Sequence, residues 1–413
     1  MTLTVDEARL PAALRGANRV GRGLERVGWR PLPVDPAIVL RRAQRLTGLS
    51  DVGDPWALES FERLARAFDS TAKLSLFGRL SVRIFLENRM ESRLKVIEAL
   101  RGDPAIADVP ITRPIFIVGL PRTGTTLLHQ LLDATGEARA PCSWETFYPA
   151  PPPRPGDRED PRIARVDREF YHFHRLAPQM RAMHPLATDS PDECLMLLGN
   201  AFANPMSSML GTIPEYMTWL KSQDLTPGYQ FHKLQLQVLA RHVETPRWVL
   251  KTPAHLLALD ALLTVYPDAC VIQTHRDPLR SVPSICSLIG TTHRVYSDDV
   301  DLAAVGRAEL ERWADGLERA LEIRAGADPA QFFDLHYAAL LADPVGVLRQ
   351  IHARFALPWS DAAEARVRAH LAANPQHRHG KHRYALERFD LTDDDVRARM
   401  AGYCEAFGVA PER

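Results

Sequence analysis

Arg113-Pro-Ile-Phe-Ile-Val-Gly-Leu-Pro-Arg-Thr-Gly-Thr-Thr-Leu-Leu-His-Gln-Leu-Leu132 decides how this chain of 413 residues is read. Ile115 to Val118 is a short apolar run between a proline and a glycine, the pattern of a strand buried on both faces of a parallel sheet. A tight turn follows from Gly119 to Thr125. Leu127, Leu128, Leu131 and Leu132 then recur at helical spacing, so a helix starts at Thr125 or Thr126. Strand, glycine turn and helix together form an anion cradle, because the helix start offers unpaired N–H groups and the positive end of its dipole. Gly119 and Gly124 keep the spacing of a nucleotide-binding P-loop. Thr125 stands where that motif has its lysine, and the loop's cation is Arg122 instead.

Working outward, strand and helix alternate. Trp248–Leu250 is a short apolar strand ending at Lys251, and a leucine-rich helix follows. Ala269 to Thr274 is another strand with His275-Arg276-Asp277 at its polar end, and Asp277-Pro278 opens the next helix. Gln331 to Tyr337 reads as a further strand. The expectation is an α/β fold: a P-loop-type parallel sheet flanked by helices, with ligands at the carboxyl ends of the strands. Residues 1–110 follow helical periods and form a helical N-terminal region, ahead of an α/β domain over 111–413. Residues 157–245 read as a helical lid inserted between strands of the core. Six methionines lie within it (Met180, Met183, Met196, Met206, Met209 and Met217), beside Tyr216 and Trp219, and they suit either ordinary core or a deformable apolar pocket.

Composition narrows the class. With 51 basic and 51 acidic residues the formal charge is zero, which disfavours a general nucleic-acid binder. Five scattered cysteines without a CxxC pair suggest reduced thiols and a cytoplasmic protein. The first residues are too polar and acidic for a signal peptide, and no apolar run approaches the roughly 18 residues of a membrane span.

The turn Pro121-Arg-Thr-Gly-Thr-Thr126 resembles the hallmark loop of sulfotransferases that use 3′-phosphoadenosine 5′-phosphosulfate (PAPS). The resemblance covers about residues 112–395, with gaps across the insertion. It implies that Arg122, Thr123, Gly124, Thr125 and Thr126 bind the 5′-phosphosulfate end. By the same resemblance, Arg276 and Ser284, eight residues apart, hold the 3′-phosphate, a pairing that suits a guanidinium fork and a hydroxyl donor. Lys251 corresponds to a transition-state cation and Tyr337 to a tyrosine near the cofactor. The basic segment His377-Arg-His-Gly-Lys-His-Arg383 resembles a late loop over the 3′-phosphate, which nominates Arg378, Gly380 and Lys381.

A base must take the acceptor's proton. The resemblance makes Glu145 the first candidate, since it stands just after the cradle helix where several sulfotransferases keep a catalytic glutamate; His255, near Lys251, is the second, after the histidine of cytosolic members. The expected reaction moves a sulfuryl group from PAPS to a hydroxyl of a fairly apolar small molecule by in-line displacement, with no metal. Oligomeric state stays open. Two other classes also stay open, a P-loop-type nucleotide kinase and a non-catalytic nucleotide-binding protein. The first lacks the Gly-Lys step, and Phe332-Phe333-Asp334 makes a poor acidic metal strand.

Overall fold

The computed structural model describes residues 10–156, 159–176, 187–374 and 385–412. Four helices come first, α1 (Ala12–Arg26), α2 (Pro36–Thr47), α3 (Pro55–Ser70) and α4 (Leu76–Gly102). Strand β1 (Ile115–Gly119) leads through the tight turn into α5 (Thr125–Ala134). After a run of helices come β2 (Val249–Lys251), β3 (Cys270–His275) and β4 (Phe332–His336), with the helices Pro278–Tyr296 and Leu302–Gly326 between the last two. Every pairing is parallel, in the order β2-β1-β3-β4.

The local rules hold well. An aspartate caps and a proline follows at Asp35-Pro36, Asp54-Pro55, Asp277-Pro278, Asp328-Pro329 and Asp343-Pro344. In each case the carboxylate accepts from a backbone N–H inside the first turn. β1 is apolar at every position because both of its faces are covered. Phe116 and Val118 join the main core with α2, α3, α4 and the helix Thr226–Ala240, while Ile115 and Ile117 pack with Leu128, Leu131 and Leu132 of α5.

That main core runs from Val34 to Val409, so helices α2, α3 and α4 share one interior with the sheet. Part of the 157–245 insertion also belongs to it, through Leu197, Phe202, Tyr216 and Tyr229. No helix among the described residues is long and apolar enough to cross a membrane.

Topology fixes where the site must be. The chain leaves β1 toward β2 on one side and reaches β3 on the other, so the strand order reverses at β1. A crevice therefore opens outside the carboxyl ends. Register aligns Ile117 with Lys251, Gly119 with Thr274, and His275 with His336, so the polar strand ends form one rim.

Candidate active site

The turn after β1 is shaped by three residues with positive φ, namely Gly119 (134°), Arg122 (69°) and Gly124 (88°). At Gly119 a Cβ would come within 2.6 Å of the Thr274 carbonyl and hydroxyl oxygens, so only glycine lets β1 and β3 lie this close here. Thr123 is fully buried. Its hydroxyl donates to the Leu120 carbonyl (2.7 Å) and lies 2.5 Å from the Thr274 hydroxyl. The Thr123 side chain therefore ties the turn to β3, and any contact it makes with an anion comes from its backbone. Gly124 caps α5 with no side-chain acceptor, unlike the aspartate-capped helices. The first N–H groups of α5 are left as donors for something else, with Thr125 nearly buried beside them and Thr126 exposed.

Lys251, at the end of β2, is almost fully buried. Its Nζ lies 3.4 Å from the Thr126 hydroxyl and 2.5 Å from a Glu193 carboxylate oxygen. On the other side of β1, Arg276 donates to the Arg122 carbonyl (2.9 Å) and stacks 4.0 Å above the Tyr337 ring. Tyr337 in turn lies against Gly124, where a Cβ would meet its ring at 2.9 Å. Arg122, Gly124, Arg276 and Tyr337 are thus brought together. Ser284 lies about two turns into the helix Pro278–Tyr296, nearly buried, and takes no part in the Arg276 contacts. Arg378, Gly380 and Lys381 lie outside the described residues, as do Met180 and Met183.

The fork of Arg276 is already engaged. Its Nε and Nη2 donate to the two carboxylate oxygens of Glu412 at 2.8 and 2.9 Å. The Glu412 N–H donates to Asp277 (2.8 Å), and Arg280 donates to the Glu412 carbonyl (3.2 Å). No sequence signal pointed to Glu412, because its partner is 136 positions away.

The two expected bases are placed differently from that reading. Glu145 is the third residue of the short helix Ser143–Phe147, and one oxygen accepts the Cys142 N–H (2.8 Å) in a capping box. Its other oxygen pairs with Arg139, and the side chain is buried. Both oxygens are therefore committed to local structure. His255 is wholly buried in an aromatic cage, with Nδ1 2.8 Å from the Tyr229 hydroxyl and its ring edge-on to Phe116 at 4.9 Å. Burial pushes its pKa well below the ordinary histidine value.

Glu193 is the carboxylate that sequence reasoning missed. It precedes the short helix Leu195–Asn200 in Pro191-Asp-Glu193, a pattern that looks like any helix start. Only the fold carries it to Lys251. Glu193 also lines a cavity of about 510 Å³ whose other walls include Phe77, Phe85, Phe173, Met196, Met206 and Met209. Met206 is both core and wall, so the two readings of the methionines coexist. Met217 faces a separate apolar cavity of about 350 Å³.

Asp334, on the strand considered for a metal-binding carboxylate, is held by Arg324 through two bonds of 2.7 Å and lies 2.9 Å from His275. Those hydrogen bonds hold its pKa far below the usual carboxylate range, against the opposing effect of burial. The five cysteines are free thiols.

Comparison with known proteins agrees with this geometry. A sulfotransferase family model matches residues 114–361. The omega-hydroxy-beta-dihydromenaquinone-9 sulfotransferase Stf3 of Mycobacterium tuberculosis is 26% identical over 314 residues, covering 73% of this chain and 75% of that protein. Among solved structures, the sulfotransferase STF1 of Mycobacterium tuberculosis H37Rv is 36% identical. It superposes with a TM-score of 0.79 over 89% of this chain and 98% of its own. STF9 of Mycobacterium avium is 28% identical with a TM-score of 0.84, over 92% and 98%. An uncapped anion cradle between β1 and β3, a lysine at its rim and a match across more than half the chain lead to one conclusion: this chain is an enzyme of the sulfotransferase family.

Proposed function

We propose that this sulfotransferase moves a sulfuryl group from PAPS to a hydroxyl of a lipophilic molecule, with Glu193 as the base. The observation that carries the reading is the Lys251 ammonium, which touches both the cradle helix at Thr126 and the Glu193 carboxylate in the wall of the apolar cavity. One side chain thus joins the place for an anionic donor to the place for an apolar acceptor. Stf3 acts, by its name, on a hydroxylated menaquinone derivative, which favours the same class of acceptor here.

In this reading the turn's backbone N–H groups, Arg122, Thr125 and Thr126 hold the 5′-phosphosulfate. Arg276 and Ser284 hold the 3′-phosphate, and Tyr337 lies beside the nucleotide. The acceptor oxygen attacks sulfur, its proton passes to Glu193, and the bond from sulfur to the 5′-phosphate oxygen breaks. Lys251 and the loop amides neutralise charge on the sulfuryl and leaving-phosphate oxygens.

The test combines binding and turnover. Calorimetry should show 3′-phosphoadenosine 5′-phosphate (PAP) binding far more tightly than ADP. Arg276→Ala should cost on the order of 2–4 kcal/mol of that binding. With PAPS and a long-chain primary alcohol, Glu193→Gln should lower kcat by about 10² to 10⁴ and leave PAP affinity nearly intact. Near-normal turnover by Glu193→Gln, with loss in Glu145→Gln, would return the role of base to Glu145.

A further inference from the structure

Helix α1 has a composition that the sulfuryl-transfer reading does not use. Arg15, Arg19, Arg22 and Arg26 are spaced at i, i+4, i+7 and i+11, so all four lie along one face. Val20 and Val27, seven residues apart, form a second stripe next to them, with Trp29 just past the helix end. Val20 is 61% exposed, Val27 78% and Trp29 62%, unusual values for large apolar side chains that nothing else in the described chain covers. Gly21 and Asn18 occupy the opposite, buried side. A Cβ on Gly21 would meet Leu76 at 2.8 Å, and the Asn18 side chain accepts from the Phe77 N–H at 3.0 Å. The helix is therefore docked on the start of α4, with its basic and apolar stripes turned outward.

That docking place is also the edge of the acceptor cavity. Leu10, just before α1, and Leu14, within it, cluster with Phe77, Phe173 and Leu176. Phe77, Phe173 and Leu176 line the cavity that contains Glu193, and Ile84 and His172 are exposed members of its lining. Leu80 and Ile84, one turn apart on α4, and Tyr171 add further exposed apolar surface there. Two of the four arginines are anchored locally, Arg22 to Asp298 and Arg15 to the Leu10 carbonyl. Arg19 and Arg26 form no ion pair with a described residue, and they flank Val20 and Val27 in sequence.

We propose that α1, with Trp29, is a membrane-surface anchor that seats the enzyme on an anionic lipid bilayer, beside the opening through which a lipid acceptor enters. Charge complementarity selects the partner. A row of arginines next to exposed valines and a tryptophan matches the headgroup–acyl boundary of an anionic leaflet, with guanidinium groups at the phosphates and apolar groups just beneath. The binding is peripheral, since no described helix can span a membrane. A water-insoluble alcohol could then pass from the bilayer to the cavity without crossing bulk water.

The experiment uses the full chain and vesicles, and its primary readout needs no catalysis, so its outcome is separate from the reading of the active site. Co-sedimentation should show binding to vesicles of phosphatidylcholine with about one third phosphatidylglycerol, little binding to pure phosphatidylcholine, and weakening as salt rises. Arg19→Glu with Arg26→Glu should lower the partition coefficient by about 25-fold or more, at roughly fivefold per arginine charge. Val27→Ser with Trp29→Ser should weaken binding at every salt concentration. Both double variants should keep wild-type turnover of a short, water-soluble alcohol, which shows that they fold. Equal binding to neutral and anionic vesicles, or unchanged binding by the arginine variant, would overturn the proposal. So would a concentration-dependent dimer, lost on Val27→Ser with Trp29→Ser and accompanied by no vesicle binding, which would assign the patch to a second copy of the chain.

Discussion

Replacing Glu412 with glutamine should tighten the binding of PAP. The carboxylate grips Arg276 through two bonds of 2.8 and 2.9 Å, the same fork that the proposed 3′-phosphate needs. A nucleotide carrying that phosphate must therefore displace Glu412 first. The pair is partly solvated, with 20% of the arginine side chain and 35% of the glutamate exposed. Exposed pairs contribute about 0.2–1 kcal/mol, and bidentate geometry places this one toward the upper end. At 1.4 kcal/mol per factor of ten, its loss should lower the Kd for PAP about two- to fivefold. The variant should otherwise fold normally, because the bonds from the Glu412 N–H to Asp277 and from Arg280 to the Glu412 carbonyl involve only its backbone. Calorimetry of wild type and Glu412→Gln against PAP and ADP measures the effect, and the gain should shrink with added salt. ADP has no 3′-phosphate and should bind the two proteins alike. An unchanged or weaker PAP affinity, or an equal gain for ADP, would refute the idea that Glu412 and the 3′-phosphate compete for one site.

Other outcomes follow from the same contacts. Glu145→Gln should lower urea stability by on the order of 1–3 kcal/mol, because it leaves the Arg139 partner poorly matched, while turnover of the folded fraction stays near wild type. Met209→Glu should raise the KM for an apolar alcohol and leave PAP affinity unchanged; a parallel loss of PAP binding would make Met209 plain core. Burial lowers the pKa of His129 to about 3, of His232 to about 3 and of His293 to about 4, so all three are neutral when folded but become charged in the unfolded chain below pH 6.5. Between pH 6.5 and about 4 the unfolded state binds more protons, so stability should fall as the pH falls, by up to about 1.4 kcal/mol per pH unit for each histidine. Urea midpoints from pH 7 to 5 check this, and His232→Phe should flatten the slope.

The cradle was legible because its physics is local. An apolar run between Pro114 and Gly119, two glycines that tolerate positive φ, and leucines at helical spacing specify strand, turn and helix within twenty residues. The same holds for β2, β3 and β4, whose apolar stretches end at polar residues on the rim, and for the aspartate–proline helix starts. Arg276 was legible for a related reason: a charged residue directly after a buried strand must sit at a strand end, and a parallel sheet gathers its strand ends together.

What the tertiary structure alone decided was the pairing of side chains. Glu145 has the right chemistry for a base and a suggestive position. Where its oxygens point is a matter of the fold, and there one accepts the Cys142 N–H while the other pairs with Arg139. His255, four residues from Lys251, is turned into the aromatic core with Tyr229 and Phe116, because the short helical turn after β2 directs its side chain inward. Glu193 reaches Lys251 across 58 positions and Glu412 reaches Arg276 across 136, and no spacing rule operates over such distances. Backbone form follows from neighbours in the chain, so the sequence alone determined the cradle and the sheet. The partners of a charge follow from neighbours in space, so only the folded chain could show which carboxylate meets Lys251 and what occupies the arginine.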